Sequence, residues 1–318
     1  MKAAWETGSI PTEEARAEAV DYAADIGFDT IVTGSGTAEM VARAHDQGIQ
    51  IIAVVSPGAR GEIAEKHPEC LQKMREHEHR IREAIVDEDW VHVHGESFRW
   101  QAAVLPRPML CFEHPESIEW IEGLIEQRLE FADGVALDGF GFNNYYACYC
   151  STCEDLRSQE RDANPQLSEV EVTANVSGRT LTNVHRHLHD YAKSIKPGAV
   201  VTNHVWPQYL PDEHIGTQYK LDYCTQTISW FYPPELPLER VEAEAAEIKR
   251  REDTECNRFV PFIGIVELPD LVRKPDRLAA EIEIGLKYGD GSVCLSRLST
   301  LQRNPSLGEA ARAALRTE

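Results

Sequence analysis

Three cysteines crowd into six residues at Cys148, Cys150 and Cys153, and shortly before them an apolar run ends on a carboxylate. That run is Gly134-Val135-Ala136-Leu137-Asp138, followed at once by Gly139 and then by the amides and aromatics Asn143, Asn144, Tyr145 and Tyr146. The order reads as a buried strand delivering Asp138 to a loop built for contact. In a barrel of parallel strands, ligands meet the chain at the carboxyl ends of the strands, so Asp138 is a functional candidate by position. The competing reading is an Asp that caps a turn before glycine. Thiols at Cys-x-Cys-x-x-Cys spacing can converge on one ion, and zinc would want a fourth ligand that the sequence does not identify. Reduced packing thiols or a disulfide are the other readings of the cluster.

Positioning these residues requires a scaffold, and the hydrophobic pattern supplies one. Strands are predicted at 2–5, 28–32, 49–55, 134–138, 199–205, 221–230, 259–266 and 291–298. Several are continuous apolar runs, the pattern of strands buried on both faces of a parallel sheet. Helical patterns fall between or after them at 12–26, 37–47, 62–87, 117–130, 169–195, 236–253, 275–288 and 306–316. Eight strands alternating with helices predict an α/β fold, a (β/α)8 TIM barrel, as a single domain over 1–318. Trp90 to Glu96 alternates strictly, so a β-hairpin insertion after strand 3, at about 88–108, is expected. His92 and His94 share one face of that hairpin and read as exposed.

One end of such a barrel collects Glu6, Asp138, Asn203, His204, Trp206, Trp230, Glu267 and Arg297, with Asn143 and Tyr145 in the fourth loop. Carboxylates among aromatic, amide, His and Arg side chains make the chemistry of a sugar site. Glycosidic cleavage needs one carboxyl to protonate the leaving oxygen and another to meet the oxocarbenium-like centre, roles open to Glu267 and Asp138. Taken singly, Trp206 and Trp230 also read as lids, Glu267 as a helix-start signal and His204 as a satisfied polar residue.

The runs Cys111-Phe112-Glu113-His114-Pro115-Glu116, Gly134 to Gly139 and Cys148-Tyr149-Cys150-Ser151-Thr152-Cys153 resemble a group of glycoside-hydrolase-like barrels. In that group a strand-end Asp is followed by a Cys-x-Cys-x-x-Cys loop. The resemblance implies a (β/α)8 fold and a carbohydrate ligand, and Glu113 and His114 join the candidate substrate contacts. Retaining barrels with Glu at both the fourth and seventh strands carry Asn-Glu at the fourth, where this chain has Leu137-Asp138. The roles therefore resemble those of barrels whose fourth-strand Asp is the nucleophile, leaving Glu267 as acid/base. The reading is an O-glycosyl hydrolase that needs no cofactor for catalysis, with Cys148, Cys150 and Cys153 as a candidate structural zinc staple. Two other classes stay open: a non-catalytic carbohydrate-binding barrel, and a metal-dependent sugar isomerase or hydrolase.

Composition narrows the partners. The 318 residues carry a formal net charge of -21, from 53 acidic against 32 basic residues. A field of that sign repels nucleic acid and anionic membranes. Only nine of the basic residues are Lys against 23 Arg, a balance that a salt-adapted cytoplasm favours and that some mesophilic enzymes share. No run approaches the roughly 20 apolar residues of a membrane span, and Met1 to Glu6 lacks a signal peptide's apolar region. A soluble, cytoplasmic protein is expected. Of the remaining cysteines, Cys111, Cys224 and Cys294 sit in apolar runs and read as small core residues.

Overall fold

A computed structural model describes residues 1–58, 62–76, 108–205, 212, 214–229, 236–265 and 273–316. Its strands are β1 (Lys2–Glu6), β2 (Thr30–Thr33), β3 (Gln50–Val55), β4 (Gly134–Asp138), β5 (Val200–Val205), β6 (Tyr223–Ser229), β7 (Arg258–Gly264) and β8 (Val293–Ser296). They pair in sequence order, and β8 returns to β1 to close the barrel. Every pairing is parallel, which demands crossovers, and the helices supply them. The predicted (β/α)8 barrel is the observed fold.

The helices are α1 (Glu13–Ile26), α2 (Ala38–Asp46), α3 (Glu62–Lys66), α4 (Pro115–Leu129), α5 (Ser151–Ala163), α6 (Glu169–Ile195), α7 (Leu238–Arg251), α8 (Pro275–Tyr288), α9 (Leu298–Arg303) and α10 (Pro305–Leu315). Their ends follow local chemistry. Thr12 caps α1 by accepting from Ala15 N, and Gly27 stops it in the left-handed region at φ 106°. Ser168 and Glu171 form a reciprocal capping box at the start of the long α6. No helix among the described residues is long and apolar enough to cross a membrane.

Two expectations are corrected. The helix predicted over 62–87 breaks after Lys66, because Pro68 cannot continue it, and a 3-10 turn over Pro68–Cys70 follows; the part of that prediction at 77–87 lies outside the described residues. The cysteine loop runs into a helix, α5, that the polar composition of 154–163 concealed; its few buried residues include Cys153 and Arg157. The hairpin expected at 88–108 lies almost wholly outside the described residues, and so do His92 and His94. At its far edge, Met109 and Leu110 make isolated antiparallel bridges to Gly58 and Leu71.

Alternation along each strand sorts side chains into two cores. Ala3, Trp5, Val32, Ile52, Ala136, Val260, Phe262 and Cys294 pack together inside the barrel. Residues one step away, such as Ala4, Ile51, Val201, Ile263 and Leu295, pack outward against the helices.

The ends of β6 and β7 are tied to α8 by buried charge. Arg273 donates to Ser229 Oγ at 2.8 Å and Gly264 O at 2.9 Å, and pairs with Glu281, which Arg277 also contacts at 2.8 Å. Glu281 is 0% exposed. Removing its charge strands two guanidinium groups in a low-dielectric site, so Glu281→Gln should cost about 3–5 kcal/mol of unfolding free energy. Urea denaturation checks this, and a loss under about 1 kcal/mol would show that the network adds little to the barrel.

Candidate active site at the carboxyl ends of the strands

Asp138 closes β4, and its Cα pairs in register with His204 of β5. Both side chains belong to the inward set, as the contacts of His204 show: its ring stacks on Phe262 at 3.8 Å and lies 5.5 Å from Trp5. His204 Nδ1 is 3.8 Å from Asp138 Oδ1, and Nε2 is 3.1 Å from Thr227 Oγ1. The Asp138 side chain is 29% exposed. The strands described contain two carboxylates, Glu6 and Asp138, and only Asp138 faces inward. A cavity of about 360 Å3 adjoins it, with Gly34, Val54, Ser56, Gly58 and Arg128 in its wall.

His204 is buried, and desolvation pushes its pKa down to about 3. It is therefore neutral near pH 7 and carries one N–H. When Thr227 donates to Nε2, that N–H sits on Nδ1 and faces the carboxylate.

The loop after β4 is held by groups around it. Gly139 turns at φ 76°, and Tyr145, buried, takes φ 61°, a left-handed conformation that non-glycine residues adopt only where their surroundings impose it. Gln72, buried, accepts from Asn143 N at 2.8 Å and donates to Leu110 O and Gly141 O. Asn144 Oδ1 accepts from Tyr146 N and Ala147 N. Arg157 donates to Cys148 O at 2.9 Å, and its guanidinium lies 4.8 Å from the centre of the Tyr149 ring. Gln72 and Arg157 were invisible to sequence reasoning, because each acts across the fold on backbone groups.

The predicted cysteine cluster exists and gains a member. Cys111, read from the sequence as a small core residue, brings Sγ to 3.7 Å from Cys150 Sγ and 3.6 Å from Cys153 Sγ. With Cys148 the four form a buried group whose sulfurs lie within 4.8 Å of one another. All are free thiols, and these separations far exceed the roughly 2.05 Å of a disulfide. They approach the roughly 3.8 Å between ligands of a tetrahedral ion with 2.3 Å metal–sulfur bonds. Lys73 N and Cys150 N point at Cys148 Sγ at 3.4 and 3.5 Å, supplying N–H groups that favour thiolate. Hydrogen bonding among the thiols drives Cys111 far above the ordinary thiol range, so four like groups this close need a cation to ionise together. The cluster can therefore bind a metal. The fourth member of the cluster was legible only as the leading cysteine of the Cys111 to Glu116 motif.

Other predicted contacts fall elsewhere. Glu6 faces outward and uses both carboxylate oxygens on backbone, accepting from Gly8 N at 2.6 Å and Ser299 N at 2.8 Å. Arg297 donates to Thr7 Oγ1 at 2.9 Å, with Glu6 Oε1 3.7 Å away. The two border a separate cavity at the β1 and β8 ends. Asn203, one step from His204, turns to Cys224 in the outer layer, where it favours the thiolate form against the burial that pushes that thiol up. Glu113 accepts from Thr180 of α6, and His114 lies beside Cys150 and Thr152, so both brace the helical layer. Trp206, Trp230 and Glu267 lie outside the described residues. Among the described residues, no metal-ligating group includes Asp138 or His204.

No family model matches the chain, and no curated protein sequence matches it. Solved structures do. The glycoside hydrolase domain of PgaB (BpsB) from Bordetella bronchiseptica aligns over 100% of this chain and 99% of its own, at 10% identity and TM-score 0.66. A β-galactosidase from the psychrophilic Marinomonas ef1 aligns over 99% of this chain at 11% identity and TM-score 0.65. α-L-Fucosidase isoenzyme 2 from Paenibacillus thiaminolyticus aligns over 99% at 14% identity and TM-score 0.58. The chain spans 59% of that β-galactosidase and 48% of that fucosidase. These likenesses establish a barrel fold shared with glycoside hydrolases.

Burial of neutral histidine makes stability depend on pH. His204 and His185 titrate near 6.5 when unfolded but are pushed by desolvation to about 3 and about 4 in the fold. Below pH 6.5 the unfolded chain takes up protons that the native state refuses, so stability is full above 6.5 and falls as pH drops toward 4. Each histidine contributes up to about 1.4 kcal/mol per pH unit in that window. Unfolding free energies from pH 7.5 to 4.5 should fall less steeply for His204→Gln than for wild type; parallel slopes would mean that His204 takes up its proton as readily in the fold as in the unfolded chain.

Proposed function

We propose that this barrel hydrolyses glycosidic bonds, with Asp138 as nucleophile and Glu267 as proton donor. The observation that carries the reading is the placement of Asp138: the one inward-facing carboxylate on the described strands, partly open to solvent, at the end where such barrels do chemistry. The fold shared with the Bordetella hydrolase domain, the β-galactosidase and the fucosidase supports it at the level of architecture.

In this scheme a carbohydrate substrate enters beside Asp138, and an Asp138 oxygen attacks the anomeric carbon as the glycosidic C–O bond breaks. The leaving oxygen takes its proton from Glu267, which follows β7 in sequence. Water, deprotonated by Glu267, then displaces Asp138 and releases the sugar. Neutral His204 orients the carboxylate without neutralising it, so Asp138 keeps the charge that a developing oxocarbenium ion needs. The rigid β4 backbone and the braced loop limit the carboxylate's wandering, which matters because displacement by 1 Å costs rate steeply.

We assign zinc to Cys111, Cys148, Cys150 and Cys153. Four thiolates in a closed tetrahedral set suit zinc and leave no position for substrate, so the ion's role is structural. It would fasten the segment at 111 to the loop that begins at Asp138.

Two outcomes test these assignments. Protein prepared without chelator should hold about one equivalent of zinc, and Cys111→Ser should lose it as readily as Cys150→Ser does; zinc-free wild type, or retention in Cys111→Ser, would refute the site. In a screen of aryl glycosides and oligosaccharides, Asp138→Asn should lower kcat by roughly 10^3-fold or more with the fold intact. Glu267→Gln should slow poor leaving groups by about 10^2-fold or more while nearly sparing activated aryl ones. Wild-type turnover by Asp138→Asn would remove the catalytic assignment, and sugar binding without any turnover would make this a binding barrel.

A further inference from the structure

A second group of metal-ligating side chains lies beside the four cysteines. Cys70, His114 and Glu116 each bring one ligand atom within 4.8 Å of the others. Cys70 is fully buried, His114 half-buried and Glu116 exposed, so the three run from an interior sulfur out to solvent. Local structure fixes them. Cys70 ends the 3-10 turn that follows α3, and its carbonyl accepts from Cys111 N at 2.7 Å. His114 is the N-cap of α4, and Glu116 lies in its first turn.

The spacing is that of ligands around an ion more than of a good hydrogen bond. Glu116 Oε2 stands 3.8 Å from Cys70 Sγ, long for a thiol bond to carboxylate but near the roughly 3.5 Å separating sulfur and oxygen ligands of a tetrahedral zinc. A second observation points the same way. The Ser117 hydroxyl is buried without another hydrogen-bond partner and lies beside the Cys70 sulfur, where it would donate to a thiolate. An approach also exists: a surface groove of about 460 Å3 runs past Glu62, Lys66, His67, Glu116, Glu119 and Trp120; Lys66 pairs with Glu62, which leaves the carboxylates of Glu116 and Glu119 to favour a hydrated cation.

We infer that Cys70, His114 and Glu116 form a second, exchangeable site for a borderline divalent cation of the zinc class. Three protein ligands leave a fourth position to water, in contrast to the closed four-cysteine set. His114 stands between the two, its Nε2 3.7 Å from Cys150 Sγ. His67 and Glu69 also lie within reach of Cys70, but they are already engaged with each other at 3.1 Å.

Cobalt titration tests the site, because Co2+ bound to a thiolate absorbs through sulfur-to-metal charge transfer. Wild type should bind one equivalent of Co2+ more than Cys70→Ser, and the difference spectrum should carry that band. Glu116→Gln, an exposed change that spares the fold, should weaken this equivalent about tenfold, whereas Glu69→Gln should leave it unchanged. The readout is a difference between variants, so it holds whether or not the four-cysteine cluster is filled and whether or not the protein cleaves sugars. Equal cobalt binding by wild type and Cys70→Ser, or dependence on Glu69 instead of Glu116, would overturn the proposal.

Discussion

Closure of eight parallel strands into one barrel is the constraint from which the site follows. A closed sheet has no edge, so register is fixed all the way round, and side chains must alternate between the interior and the helical layer. That alternation separates neighbours of similar chemistry. His204 and Asp138 face the axis, whereas Asn203 and Glu6, one residue off the inward phase, serve the outer shell. A slip of one residue in β4 would exchange Asp138 for Leu137 at the mouth and empty the site of its carboxylate.

Strand order alone does not hold the loop beyond Asp138, and the chain spends much of its buried polar chemistry there. Gln72 binds three backbone groups, Arg157 reaches Cys148 O, and Cys111 converges on the sulfurs of Cys148, Cys150 and Cys153. The loop is thereby fastened to the segments at 70–73 and 109–112, both of which belong to the long connection after β3. Tyr145 at φ 61° records how strongly that packing dictates the backbone. The carboxylate thus stands between a rigid strand and a loop that its neighbours hold still.

Much of this was legible in the sequence, and the failures have physical causes. Apolar runs such as Ile51 to Val55 and Val135 to Leu137 are buried on both sides, so they announce parallel strands without any partner being known. Asp138 was legible as the last residue of its strand because a carboxylate followed by glycine closes an apolar run where the sheet meets solvent. Asn203, Glu6 and Arg297 were grouped with it because they share the strand ends; which way each points depends on a register that only pairing supplies. Cys111 looked like a packing residue because it is one, buried to 1%, and its sulfur joins the other three only when the chain folds back 42 residues to Cys153. Helix α5 was missed because a surface helix with few buried residues carries little periodic signal.

The account's central claim, that Asp138 is the nucleophile, is tested most directly by trapping. An activated 2-deoxy-2-fluoro glycoside of a sugar that the protein cleaves slows the second step of a retaining reaction, so the glycosyl–enzyme ester accumulates. Peptide mass mapping should then place one sugar on Asp138. A sugar on another carboxylate, or turnover that leaves no adduct and inverts the anomeric centre, would contradict the account.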